Sequence, residues 1–86
     1  MSREITIHSE ITGAVAQVNV QIGSQVAVDD VMILIEAMKM EIPVASSVLG
    51  KVSKINVKEG DAVSEGEILI VLEVDWFQMT GPSPAI

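Results

Sequence analysis

Short runs of alternating apolar and polar residues, broken by tight turns, make up almost the whole of this chain. Val18, Val20 and Ile22 alternate in the first half, and Val52, Ile55 and Val57 mark the second. Segments such as Ile22-Gly23-Ser24-Gln25 and Glu59-Gly60-Asp61-Ala62 punctuate the runs. This pattern predicts strands over residues 3–8, 13–21, 31–37, 40–44, 50–58 and 67–74, with very short strands around Val26 and Val63. No segment requires a helix. The even spacing of turns points to an all-β fold, a flattened barrel-sandwich of two small antiparallel sheets packed face to face.

Shifted by 37 positions, the chain matches itself. Identical pairs are Glu4/Glu41, Ile5/Ile42, Ser9/Ser46, Gly13/Gly50, Val15/Val52, Asn19/Asn56, Val20/Val57, Gly23/Gly60, Val26/Val63, Ile33/Ile70 and Glu36/Glu73. Two repeats are too few for a solenoid, so they are expected to close over one core about a pseudo-twofold axis. Such an axis places the segment around Lys39 at one end of the domain and both termini at the other. Gly23, Gly60 and Gly66 are expected at turns with positive φ. The repeat partner of Gly66 is Asp29, a residue type that tolerates that region. Asp29 and Asp30 are therefore read as turn residues rather than a metal pair, since no further ligands stand nearby at suitable spacing.

Composition narrows the function classes. Eighty-six residues, 49% of them hydrophobic but only 2% aromatic, suffice for one domain with a thin aliphatic core. The longest aliphatic stretches, Val31 to Ile35 and Ile68 to Leu72, fall far short of the roughly 20 residues that span a bilayer, so no membrane insertion is expected. No apolar leader follows Met-Ser-Arg-Glu, and a cytoplasmic location is expected. The absence of cysteine removes disulfides, thiolate metal sites and thiol nucleophiles. A net charge of −7 with scattered basic residues gives nucleic acid nothing to bind. His8, on an expected edge strand, has no nucleophile or metal partner and is read as a surface residue. No convergent set of His, Ser and carboxylates suggests an independent enzyme.

One segment breaks a local rule. Ile35-Glu36-Ala37-Met38-Lys39-Met40-Glu41-Ile42 joins two strands through a turn at Met38 and Lys39. A two-residue hairpin needs positive φ at both central positions and prefers Asn-Gly or Asp-Gly. Met-Lys supplies neither, and a rule broken without structural gain marks a candidate functional site. On these residues alone the alternative stands equal: Met38 and Met40 packed over the end of the sandwich, with Lys39 an ordinary solvated lysine.

Glu36-Ala37-Met38-Lys39-Met40 matches, without interruption, the Glu-Ala-Met-Lys-Met motif of the biotin carboxyl carrier family. The glycine-valine framework also resembles that family's, in Gly13-Ala-Val15, Gly23-Ser-Gln-Val26, Gly50-Lys-Val52 and Gly60-Asp-Ala-Val63, so the likeness covers roughly residues 4–74. The resemblance implies a biotinyl domain over residues 1–75, with covalent biotin on Lys39 flanked by Ala37, Met38 and Met40. It implies a biotin protein ligase that presents biotinyl-adenylate to the lysine amine, and Glu36 and Glu41 are candidates for contact with that ligase. A lysine amine is ordinarily protonated at neutral pH, so the acylating enzyme has to remove the proton. A biotin carboxylase and carboxyltransferase subunits are the implied partners. The biotin ring is carboxylated at the first and gives up the carboxyl group at the second, while the domain itself makes and breaks no bonds. The methionines would offer flexible apolar surface for docking at successive sites.

The chain departs from the family pattern in places. Ser9-Glu10-Ile11-Thr12-Gly13 stands where Ala-Pro-Met-Pro-Gly is usual, Ala45-Ser46 replaces Ala-Pro, and Asp29 replaces a glycine. The even repeat leaves no room for a protruding thumb loop, so the thumbless type is expected, which loosens the tie to acetyl-CoA carboxylase. Lipoyl domains share the repeat and hairpin but place their lysine in an Asp-Lys-Ala context. A lipoyl-type carrier of an oxoacid dehydrogenase complex is therefore the alternative, and an unmodified assembly adaptor a third reading. Residues 76–86, with two prolines and a glycine in the last six, are expected to form a mobile tail, Trp76 and Phe77 folding back on the sandwich rather than anchoring a partner. Met1 and the lack of an Ala/Pro-rich linker favour a free subunit.

Overall fold

The computed structural model describes residues 2–75, and the alternation resolves there into eight strands. In chain order they are β1 (Ser2–His8), β2 (Gly13–Val18), β3 (Gln25–Val26), β4 (Val31–Ala37), β5 (Met40–Ala45), β6 (Gly50–Ile55), β7 (Ala62–Val63) and β8 (Ile68–Asp75). They form two four-stranded antiparallel sheets, β1-β8-β6-β3 and β5-β4-β2-β7. The sheets share no ladder, so the sandwich is flattened and not a closed barrel. A groove of about 530 Å³ lies between β1 and β5, one edge strand of each sheet. Among the described residues no helix is long and apolar enough to cross a membrane.

The 37-residue shift maps β1, β2, β3 and β4 onto β5, β6, β7 and β8 and carries each sheet onto the other. Each sheet takes two strands from each half, so neither repeat can complete a sheet alone. The turns repeat as well. Ser9 Oγ donates to the carbonyl of Ile11 and Ser46 Oγ to that of Val48, both at 2.6 Å. These serines are buried, and the local bonds satisfy hydroxyls that would otherwise be costly to desolvate. Asp30 Oδ2 accepts from Ala27 N–H, as Glu67 Oε1 accepts from Ser64 N–H. Asp29 has φ 75° and its image Gly66 has φ 90°, so both aspartates serve as turn residues.

The core consists of aliphatic side chains facing each other across the sheets, among them Val15, Met32, Ile33, Ile35, Val52, Leu69, Ile70, Leu72 and Val74. Fully burying one such side chain contributes about 1.5–3 kcal/mol. Met32 and Ile33 are consecutive and both inside because β4 carries a bulge between Val31 and Ile33 against β5, which breaks the strict alternation. Leu69 and Ile70 sit at the equivalent irregularity of β8: the β1 register jumps from Ile70 to Ile68.

Two strands are shorter than their hydrophobic pattern predicts. β2 ends at Val18 rather than residue 21, and β6 at Ile55 rather than 58. In each case the chain leaves the ladder at an asparagine whose N–H still reaches across, Asn19 to the Met32 carbonyl and Asn56 to that of Leu69. It then enters a turn closed by Ser24 or Asp61. Ile22, which continues the alternation on paper, is consequently outside and 68% exposed.

The paired residues Ser2 and Asp75 close one end of the first sheet. Their counterparts around the β4–β5 hairpin close the opposite end of the second, as the repeat requires. Trp76 and Phe77, with the rest of the expected tail, lie outside the described residues.

Candidate functional site

The last ladder pair of β4 and β5 is Ala37 with Met40, leaving Met38 and Lys39 as a two-residue loop. Both have positive φ, 53° and 65°, the backbone of a type I′ hairpin. That turn suits the right-handed twist of its strands, but each side chain in the left-handed region costs about 1–2 kcal/mol. The buried Ile33 and Ile35 anchor β4 in the core, and Ala37 is the last buried residue before the tip. A Met38→Asn, Lys39→Gly double variant is therefore expected to raise the unfolding free energy by about 1–2 kcal/mol, read as a shifted denaturant midpoint at unchanged m. An unchanged midpoint would mean that the turn stores no strain.

Lys39 is exposed and held by no hydrogen bond or ion pair among the described residues. Its amine stands at the tip of a two-stranded element rooted in the core, so the base is fixed while the amine is free. Met38 and Met40 are 86% and 64% exposed, which rules out their packing over the end of the sandwich.

Glu36 and Glu41 face each other directly across the ladder, both exposed. Like charges opposite one another disfavour pairing. The repeat places a second such pair, Glu4 with Glu73, at the far end, but there Lys51 of β6 stands on the other side of Glu73. At the hairpin the corresponding neighbour of Glu36 is Ala14. The acidic pair therefore lacks a cationic cross-strand neighbour at the Lys39 end, leaving a negative flank below the amine.

Gly13 also supports this end, in a way the sequence did not signal. A Cβ on it would run into the backbone carbonyl oxygen of Glu36 and stand 3.0 Å from the Cβ of Ala37. The missing side chain lets β2 press against the strand that leads to Lys39. Only the β2–β4 register reveals this contact. His8 lies on edge strand β1, exposed, where its Nδ1–H donates to the Gly66 carbonyl at 2.9 Å and its Nε2 accepts from the Thr6 hydroxyl at 2.8 Å. It ties the end of β1 to a turn and stands apart from the hairpin.

A two-repeat β-sandwich that lifts one free lysine on a core-anchored hairpin is the architecture of a carrier domain. The sequence profile described as "Biotin-requiring enzyme" matches residues 6–72 and again 52–85, and the chain belongs to that family as a biotinyl domain. Among solved structures, it is similar to the urea carboxylase of Kluyveromyces lactis, with 37% identity over 81% of this chain and a TM-score of 0.77. It also shares its fold with a single-chain, multi-domain long-chain acyl-CoA carboxylase, at 24% identity over 84% of this chain and a TM-score of 0.79. The chain spans only 6% and 7% of those polypeptides. No curated protein matches it by sequence.

Proposed function

We propose that Lys39 is the residue on which biotin is carried, and that the domain moves the loaded arm between a biotin carboxylase site and a carboxyltransferase site. The observation that carries this reading is the free amine at the tip of a strained hairpin in an otherwise regular sandwich. The residues fit the group: an exposed amine with no partner among the described residues leaves room for an amide-linked arm. Biotin supplies the carriage of a carboxyl group. Everything else falls to the chain.

Loading is an acyl transfer to the Nζ of Lys39. The amine, freed of its proton by the partner biotin protein ligase, attacks the activated carbonyl carbon of biotinyl-adenylate. An N–C bond forms and adenylate leaves. Holding the lysine on a rooted hairpin narrows the positions the amine samples and lowers the entropy cost of the encounter. Glu36 and Glu41 offer a negative flank for a basic ligase surface, and Ala37, Met38 and Met40 form the apolar frame around the amine. Rim charges of this kind chiefly set encounter rate and register.

Biotin is favoured over lipoate because the matched profile is described as that of a biotin-requiring enzyme and the structure 37% identical to this chain is a urea carboxylase. The chain acts as residues 1–75 of carrier, with the acceptor determined by the transferase it serves. Co-expression with a biotin protein ligase, followed by intact-mass measurement, tests the reading. One biotinyl increment is expected. A folded chain that gains none, but gains a lipoyl increment from a lipoate ligase, would overturn it.

A further inference from the structure

The repeat supplies an internal control for the residues that flank Lys39. Under the 37-residue shift β5 falls on β1 and Met40 falls on Arg3, an exposed charged residue. The fold thus accepts charge at the position of Met40 and does not demand a thioether there. Burial is no reason for one either, because Met38 and Met40 are 86% and 64% exposed, whereas Met32 is 0% exposed in the core. Two long apolar side chains stand in solvent on either side of one amine, held out by a turn that cannot bury them.

Thioether sulfur is the most readily oxidised group this cysteine-free chain presents to solvent. We propose that Met38 and Met40 form an oxidation-sensitive pair that controls loading of Lys39. The oxidant is a peroxide. A sulfur lone pair attacks one peroxide oxygen, the O–O bond breaks as the S–O bond forms, and the departing hydroxide takes the proton carried by the transferred oxygen and leaves as water, so that the sulfoxide remains. Sulfur gives up two electrons and the peroxide accepts them. Each side chain changes from a flexible apolar contact to a polar sulfoxide within one residue of the amine, and the apolar frame presented to the ligase is lost. The inference rests on Lys39 being the attachment residue.

The test uses the full chain, brief treatment with hydrogen peroxide, peptide mapping, and the rate of biotin transfer by a biotin protein ligase. Mapping is expected to find oxygen on Met38 and Met40 and none on Met32. Loading kcat/KM is expected to fall about tenfold, the scale of one lost apolar contact. Methionine sulfoxide reductase restores it. In a Met38→Leu, Met40→Leu variant the ratio of treated to untreated rates is expected to be one, whatever that variant's own rate. A doubly oxidised chain that loads at the untreated rate overturns the proposal, and so does sensitivity persisting in the leucine variant, which keeps Met1, Met32 and Met79. An untreated chain that takes up no biotin would instead bring down the reading of Lys39, and this proposal with it.

Discussion

Lys39→Arg yields a folded domain whose mass gains no biotin, however much ligase is present. The substitution keeps the positive charge and the long aliphatic stem, and it meets the same positive φ as the lysine it replaces, so the turn is no more strained than before. Lys39 contacts no other described side chain through a hydrogen bond or ion pair. Stability is therefore expected within about 0.5 kcal/mol of the parent. Only the chemistry changes, because a guanidinium stays protonated and offers no free lone pair to an acyl-adenylate. Three other lysines serve as internal controls: Lys51 and Lys54 on β6 and Lys58 near a glycine turn, all exposed. They share the amine and differ from Lys39 in their geometry. Biotin appearing on any of them in the arginine variant would show that the ligase reads amines rather than the hairpin, and the assignment of the site would fall.

The expectations that held rest on alternation and repetition. All eight strands lie in the segments that apolar runs and turn glycines mark, with β2 and β6 stopping three residues short, because a half-buried strand writes its buried face largely into every second residue. The positive φ of Asp29 followed from its pairing with Gly66, and the strain at Met38 and Lys39 from the length of the loop. What escaped the sequence depends on distances between strands. Nothing in Val18-Asn19-Val20-Gln21-Ile22 tells that the ladder ends at Val18, since that is decided when Ser24 closes the following turn on Gln21. The bulges that bury both Met32 and Ile33 belong to a pairing register, not to a residue type. The acidic pairs Glu36/Glu41 and Glu4/Glu73 are identical in the repeat, yet Lys51 stands beside one and Ala14 beside the other.

Gly13 and Gly50 carry this distinction to a measurable outcome. They are the same residue at the same place in the two halves, and neither has a positive φ. Backbone entropy alone would therefore make alanine the better residue at both, by about 0.5–1 kcal/mol. At Gly50 the added Cβ would meet the Glu73 carbonyl oxygen at 3.0 Å and a Val74 methyl at 3.1 Å, contacts that a shift of a few tenths of an ångström relieves. Gly50→Ala is expected to change stability by less than about 1 kcal/mol, the small clash offsetting the entropy gain. At Gly13 the Cβ would run into the Glu36 carbonyl itself, with Ala37 Cβ and a methyl of Ile35 behind it at 3.0 and 3.1 Å. No rotamer relieves a collision with backbone, so β2 and β4 have to move apart, and Gly13→Ala is expected to cost about 2–3 kcal/mol. The displaced carbonyl belongs to the strand that leads to Lys39, so biotin loading is expected to fall with stability in this variant. The Gly50 variant loads as the parent does, since its contact lies at the terminal end. Urea unfolding and a loading assay on both proteins read the two effects together. Equal losses at the two glycines would show that the close approach of β2 to the hairpin strand is not what shapes the proposed attachment site.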